Sequence, residues 1–263
     1  MPDTPTILFV GDVVGGLGRR TLLALLPKLR EEHAPDFVVV NGENAAGGLG
    51  ITSKIAEELF ANGVDVITLG NHAYHRRDVF DYLDRTERIL RPANFLATQP
   101  GHGVCVVERG GMRLGVVNLQ GNVFLRSGRV AFAEIDSILD QLEGKADHVL
   151  IDFHAEATSE KVAMGWYVDG RATACVGTHT HVPTNDARVL PGGTAYITDV
   201  GMTGPRGGVI GVVKEQAIAS LRTHMSVRFE TSEDDPWLMG VLVRCAAQPL
   251  RAEAIEPILM PWR

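Results

Sequence analysis

The chain has 263 residues, 45% of them hydrophobic, enough to build a sizeable core. Its formal net charge of −7 excludes the extended phosphate-backbone surface of a nucleic-acid coat protein. No apolar run approaches the ~20 residues that span a bilayer, so no membrane partner is implied.

The opening stretch, MPDTPTILFVGD, lacks the basic and long apolar segments of a signal peptide. Within it, Ile7 to Val10 are a continuous apolar run, the pattern of a strand buried on both faces. Leu22, Leu25, Leu26 and Leu29 give Leu17 to Glu32 helical spacing, and Pro27 is expected to kink or shorten that helix. DFVVVNGEN reads as the next buried strand. Ser53 to Asn62 read as a helix capped by Thr52 or Ser53 and stopped by Gly63. VDVITLGNH is a third strand, and Arg76 to Arg88 a helix with a solvated face. This alternation predicts a parallel sheet with crossover helices.

The middle of the chain changes character. GVCVVERGGMRLGVVNL reads as a hairpin about Gly110 and Gly111. Phe132 to Leu142 form a helix, and HVLIDFHAE and TACVGTHTH two more buried strands. ARVLPGGTAYITDVG gives two strands about a Pro-Gly-Gly turn. Val213 to Met225 are helical, and Ser226 to Thr231 and Leu238 to Ala246 alternate like antiparallel strands. Cys105, Cys175 and Cys245 are widely separated and read as buried free thiols of a reducing, cytoplasmic compartment. With no repeat and no linker, residues 1–263 are expected to form one α/β domain, two mixed sheets face to face with helices outside.

Polar residues fall at the carboxyl ends of five of these strands, where ligands bind in open α/β sheets. The ends are Gly11-Asp12, Asn41-Gly42-Glu43-Asn44, Gly70-Asn71-His72, Asp152-Phe153-His154 and Gly177-Thr178-His179-Thr180-His181. In an extended segment His179 and His181 would point to one side and could be no more than neighbours on a polar rim. A lone carboxylate after a strand is often only a helix cap. Five such ends in one chain point instead to a metal site.

The stretches GDVVG, NGENAAGG, GNH, DFHAEATSEK and VGTHTHVPTNDARVLPGGTAYITDVGMTGP resemble the YmdB family of calcineurin-like metallophosphoesterases, from Ile7 to about Gly211. The resemblance implies a four-layer sandwich of two mixed β-sheets flanked by helices. It also implies two divalent metal ions, iron or manganese with zinc compatible, and phosphodiesterase activity on cyclic nucleotides, 2′,3′-cyclic above all and 3′,5′-cyclic second. The chain departs from the wider superfamily twice. Val14 stands where a histidine is usual, and Glu43 follows Gly42 where an aspartate is usual.

On the family pattern Glu43 bridges two ions. Asp12 and His181 complete the first, with Asn44 in place of the missing histidine, and Asn71, His154 and His179 complete the second. These are nitrogen and oxygen donors without thiolate, which suits a catalytic iron, manganese or zinc centre and not a closed structural zinc. His72, next to Asn71, is expected to face substrate as general acid or charge stabiliser. Glu156 is placed to orient a ligand imidazole, to cap or to form a solvent-facing salt bridge, and His75 to lie on a helix surface or bond a loop. GMTGPRGGVIG reads as a turn-rich loop, with contact between Arg206 and a substrate phosphate as the alternative reading. The substrate is a small phosphoester or cyclic nucleotide, and a homo-oligomer stays open. The competing readings are a broad-specificity metal-dependent phosphatase, a metal hydrolase cleaving an amide, and a regulatory metal-binding protein with little turnover.

Overall fold

A computed structural model describes residues 4–263; Met1, Pro2 and Asp3 of the opening stretch lie outside it. β1 (Thr6–Val10) passes through Gly11 into a two-residue strand, β2 (Asp12–Val13), and then α1 (Gly15–His33). α1 continues past Pro27 for six more residues, so the expected early stop does not occur. Pro27 lies on the exposed face while Leu22, Leu25, Leu26 and Leu29 are buried, so water can meet the carbonyl that proline leaves unpaired.

β3 (Phe37–Asn41), α2 (Ser53–Ala61) and β4 (Val66–Thr68) follow, and Thr52 caps α2 by accepting from the Ile55 N–H. The segment read as one helix over residues 76–88 is broken. It forms a 3-10 turn (Arg77–Val79), a short α3 (Phe80–Arg85) and then a strand, β5 (Ile89–Leu90). Parallel pairing of Ile67 with Ile89 draws the chain into extended form after Arg85.

The hairpin forms β6 (Val104–Arg109) and β7 (Met112–Gln120), with Gly110 and Gly111 at φ 60° and 79°. Next come α4 (Ala131–Leu142), β8 (His148–His154) and α5 (Thr158–Tyr167). α5 has no legible apolar rhythm because two of its buried positions are Glu160 and Lys161. The chain is completed by β9 (Ala174–Thr178), β10 (Arg188–Val189), β11 (Ala195–Ile197), β12 (Met202–Pro205), α6 (Lys214–Thr223), β13 (Pro236–Cys245) and β14 (Ala252–Pro261). Residues 226–231 do not form a strand; their side chains are largely exposed, and only Thr231 bridges to Val212. β14 is masked in the sequence by Pro257, Pro261 and two glutamates, which an outer strand paired with β13 tolerates.

β1, β3, β4 and β5 run parallel in one sheet, and β13 joins β1 antiparallel and carries β14 and the β12–β2 pair. The second sheet has the order β10-β11-β9-β8-β7-β6, parallel except at its two edges. The inner faces meet through Ile7, Phe9, Val39 and Val66 on one side and Val116, Leu150, Val176 and Ile197 on the other. Leu22 and Leu26 of α1, Leu59 of α2 and Leu83 of α3 cover the outer face of the first sheet. Ile135 and Ile138 of α4 and Met164 of α5 cover that of the second. Helices, sheet, sheet and helices therefore form the four-layer sandwich expected. All three cysteines are buried and unpaired, and among the described residues no helix is long and apolar enough to cross a membrane.

Gly177 shows how tightly the second sheet closes. A Cβ there would come 1.7 Å from the Thr198 carbonyl oxygen, and backbone cannot yield as a side-chain tip can. Gly177→Ala is expected to destabilise the fold by about 3 kcal/mol. A urea midpoint unchanged by the substitution would contradict this rigidity.

Candidate metal centre

The carboxyl ends of β1, β3 and β4 in one sheet and of β8 and β9 in the other meet at a common edge. Asp12, Glu43, Asn44 and His154 are buried there, while Asn71, His72, His179 and His181 are partly exposed. The chain leaves β4 at Gly70, where a Cβ would stand 2.3 Å from the His154 ring and 2.4 Å from Glu43 Oε2. Only glycine lets that turn pass so close to both side chains.

Two groups of ligand atoms share Glu43. The first is Glu43, His154 and His179, whose donor atoms lie within 4.8 Å of one another. His154 Nε2 is 3.3 Å from Glu43 Oε2, 3.0 Å from Asn71 Oδ1 and 3.1 Å from His179 Nδ1. The opposite nitrogens of both rings are engaged. His154 Nδ1 donates to Thr178 Oγ1 at 2.9 Å, because the Thr178 hydroxyl proton is committed to Asp152 Oδ1 at 2.6 Å. His179 Nε2 donates to Glu156 Oε2 at 3.0 Å. With both rings neutral, four lone-pair atoms of Glu43, Asn71, His154 and His179 thus face one another. Such a cluster is repulsive unless positive charge sits within it.

The second group is Asp12, Glu43 and His181. His181 Nδ1 donates to the Ile210 carbonyl at 2.8 Å, which turns the lone pair on Nε2 toward Asp12 Oδ2, 3.2 Å away. Asp12 Oδ2 also accepts from the His179 N–H, but Asp12 Oδ1 is buried with no hydrogen-bond partner among the described residues. An unsatisfied buried carboxylate oxygen is costly, and a cation would satisfy it. Both groups fit a metal.

The titration behaviour agrees. Burial opposes charge on Glu43, yet His154 and His72 on either side hold its carboxyl well below the usual range. Burial would lower His154 too, but the Glu43 carboxylate outweighs it and lifts His154 to about 9. Burial, with the positive His154 beside it, pushes His179 down to about 3 against the pull of Glu43. At His181 burial is again outweighed, here by the hydrogen bond to Asp12, and the value rises. A proton on His154 supplies part of the positive charge the cluster demands, and a metal would displace it.

Asn44 and His72 stand beside these groups. Asn44 Nδ2 donates to Glu43 Oε1 at 2.9 Å and lies 3.1 Å from His181 Nε2, while Asn44 Oδ1 accepts from His72 Nδ1 at 2.7 Å. The amide therefore turns its NH2, and not its oxygen, to the cluster. His72 is 23% exposed, 3.3 Å from Glu43 Oε1, and meets the exposed ring of His75 edge-on. His75 lies in a turn and not on a helix. A cavity of about 460 Å³ opens above, floored by Glu43, Asn44, His72, His179 and His181 and walled by Ile210, Leu221 and Phe229.

His179 and His181 do not lie on one side of an extended strand. β9 ends at Thr178, and both histidines have positive φ, 98° and 66°, which sends one to each group. Thr180 between them is tied down by residues the strand-end pattern does not include. Lys161 Nζ donates to Asp199 Oδ2 at 2.7 Å, both side chains 1% exposed, and that oxygen also accepts from Thr180 N and Oγ1. Asp152, which stands at the β8 strand end, braces the cluster from behind. It accepts from Asn41, Thr68 and Thr178, and burial pushes its carboxyl up to about 6. Its signal in the sequence is an aspartate in an otherwise apolar buried strand, two positions from His154 and so on the same face.

Comparison with known proteins agrees over almost the whole chain. The chain is 47% identical over 254 residues to a 2′,3′-cyclic-nucleotide 2′-phosphodiesterase of Bacillus subtilis (strain 168), covering 97% of this chain and 96% of that one. It superposes on the crystal structure of a hypothetical protein from Thermus thermophilus with a TM-score of 0.92 and 39% identity, over 98% and 100% of the two chains. A phosphatase structure from Mycoplasma pneumoniae gives 0.92 with 33% identity, over 99% and 95%. The sequence model of the family described as YmdB-like protein matches residues 8–258, and the chain belongs to that family.

Proposed function

We propose that the protein is a metal-dependent phosphodiesterase of cyclic nucleotides, 2′,3′-cyclic above all. The observation that carries this reading is the pair of acceptor clusters sharing one buried carboxylate, Glu43. Asp12, Glu43 and His181 would hold one ion, and Glu43, Asn71, His154 and His179 the other. Asn44 would join the first set with its amide turned over, oxygen inward, which leaves its NH2 to donate to His72. Iron or manganese suits these oxygen and nitrogen donors, and zinc is compatible. Ions held there supply Lewis acidity, lowering the pKa of a water and neutralising phosphoryl oxygens.

The side chains do the rest. Thr178 and Glu156 fix the rings of His154 and His179 with their lone pairs inward, and Ile210 does the same for His181. His72 opens to the cavity beside the shared carboxylate and is placed to give a proton to the leaving oxygen. A ribose oxygen is a poor leaving group and gains most from that proton. The activity of the Bacillus relative supports the substrate class. The unpaired buried thiols support a reducing, cytoplasmic setting, and we read the whole chain as one domain.

Metal-stripped protein reconstituted with Mn²⁺ or Fe²⁺ tests this reading. Elemental analysis is expected to find more than one ion per chain. Turnover of 2′,3′-cyclic AMP and bis-p-nitrophenyl phosphate is expected to exceed that of p-nitrophenyl phosphate. A stoichiometry that stays at one or below removes the dinuclear assignment, and a preference for the monoester removes the diesterase one.

A further inference from the structure

A second cavity of about 480 Å³ adjoins the one above the metal centre, and the two share His181 and Ile210. Its wall includes Arg206, Trp237, Met202, Met239 and Val182. The Arg206 guanidinium lies over the Trp237 ring, 4.4 Å from its centre. Among the described residues Arg206 pairs with no carboxylate. Of the two acids in the facing segment, Asp235 accepts from Trp237 Nε1 at 2.9 Å, and Asp234 lies against Gly207. The result is a cation with its donors uncommitted, backed by an indole, in a pocket otherwise lined with thioether and aliphatic groups.

That combination has a specific chemistry. An aromatic base stacks on an indole–guanidinium pair, and guanidinium N–H groups bind a phosphate in fork geometry. The partition between the cavities is equally specific. Ile210 holds φ 44°, which branched side chains rarely adopt, with its carbonyl on His181 and its side chain bordering both cavities.

We propose that the second cavity binds the nucleotide preceding a 2′,3′-cyclic phosphate terminus. The preferred substrates are then dinucleotides and short oligonucleotides ending in that group. The cyclic phosphate enters the metal cavity, the preceding base stacks on Trp237 and Arg206, and the linking phosphate meets Arg206. The pocket has room for one such unit, which agrees with a chain whose negative charge suits no longer polyanion. This inference rests on the phosphodiesterase reading above.

The test compares kcat/KM for 2′,3′-cyclic AMP and for the adenylyl dinucleotide ending in a 2′,3′-cyclic phosphate, with metal-loaded protein. The wild type is expected to favour the dinucleotide by about tenfold, mainly through KM, the worth of one stacked base. Trp237→Ala and Arg206→Gln are each expected to remove most of that advantage and to leave the mononucleotide within about twofold. Trp237→Phe, which keeps an aromatic face, is expected to restore most of it. Equal use of both substrates by the wild type overturns the subsite. So do variants that slow both substrates alike, the mark of a structural stack. Turnover of neither substrate overturns the phosphodiesterase reading, and the subsite with it.

Discussion

Glu43→Gln is expected to weaken metal retention and activity together, with a rate loss of about 10²–10⁴-fold, the scale of removing one partner from a buried charged cluster. Glu43 is 1% exposed, and its two oxygens meet Asn44, His72 and His154. A carboxamide of the same shape removes the one negative charge common to both ligand groups. It also replaces an acceptor with an NH2 that must face either the Asn44 NH2 or the N–H groups around Oε2. His154, raised to about 9 chiefly by Glu43 against burial, would lose that support and titrate lower. Asn44→Ala removes a neutral neighbour and is expected to cost about 10–100-fold. Elemental analysis and turnover of both variants decide the matter. A larger loss at Asn44 would mean that the shared charge is not the organising element of the centre.

His72→Ala is expected to keep its metal and its fold and to lose about 10²–10⁴-fold in rate on a cyclic nucleotide, the usual worth of a positioned proton donor. His72 belongs to neither ligand group, yet it lines the cavity and touches Asn44 and Glu43. The leaving group separates its roles. A nitrophenolate departs without a proton, so the loss should shrink for a nitrophenyl diester. A side chain that only steadies phosphoryl oxygens would cost the same with both substrates. Loss of metal in the variant would make His72 a ligand and undo its separation from Asn71.

The centre is largely legible in the sequence because its ligand-type residues follow apolar runs. Residues 7–10, 37–40, 149–151 and 174–176 have the unbroken hydrophobicity of strands buried on both faces, and parallel strands deliver their carboxyl ends to one edge. What stays hidden depends on partners distant in the chain. Glu160 and Lys161 look like a solvated helix face, yet Glu160 accepts from Asn122 and Lys161 pairs with Asp199. β5 is two residues long and exists only because β4 offers it an edge. The turn at His179 and His181 escapes the pattern because spacing of two means one side only in an extended chain. Here Asp199 holds Thr180 in a turn, and positive φ at both histidines separates them.

The position of β1 constrains how the molecule is made. β1 pairs on one edge with β3, close in sequence, and on the other with β13, where Thr6 meets Arg244. β2, which carries Asp12, likewise pairs with Met202 of β12. Contacts of such long range raise contact order and slow folding. During synthesis the strand that leads to Asp12 waits, one edge bare, until nearly all of the described chain has left the ribosome. A bare apolar edge is also where nascent chains aggregate or recruit chaperones. Asp12, the first of the candidate ligands in the sequence, is therefore among the last to reach its place, and metal capture there would follow translation.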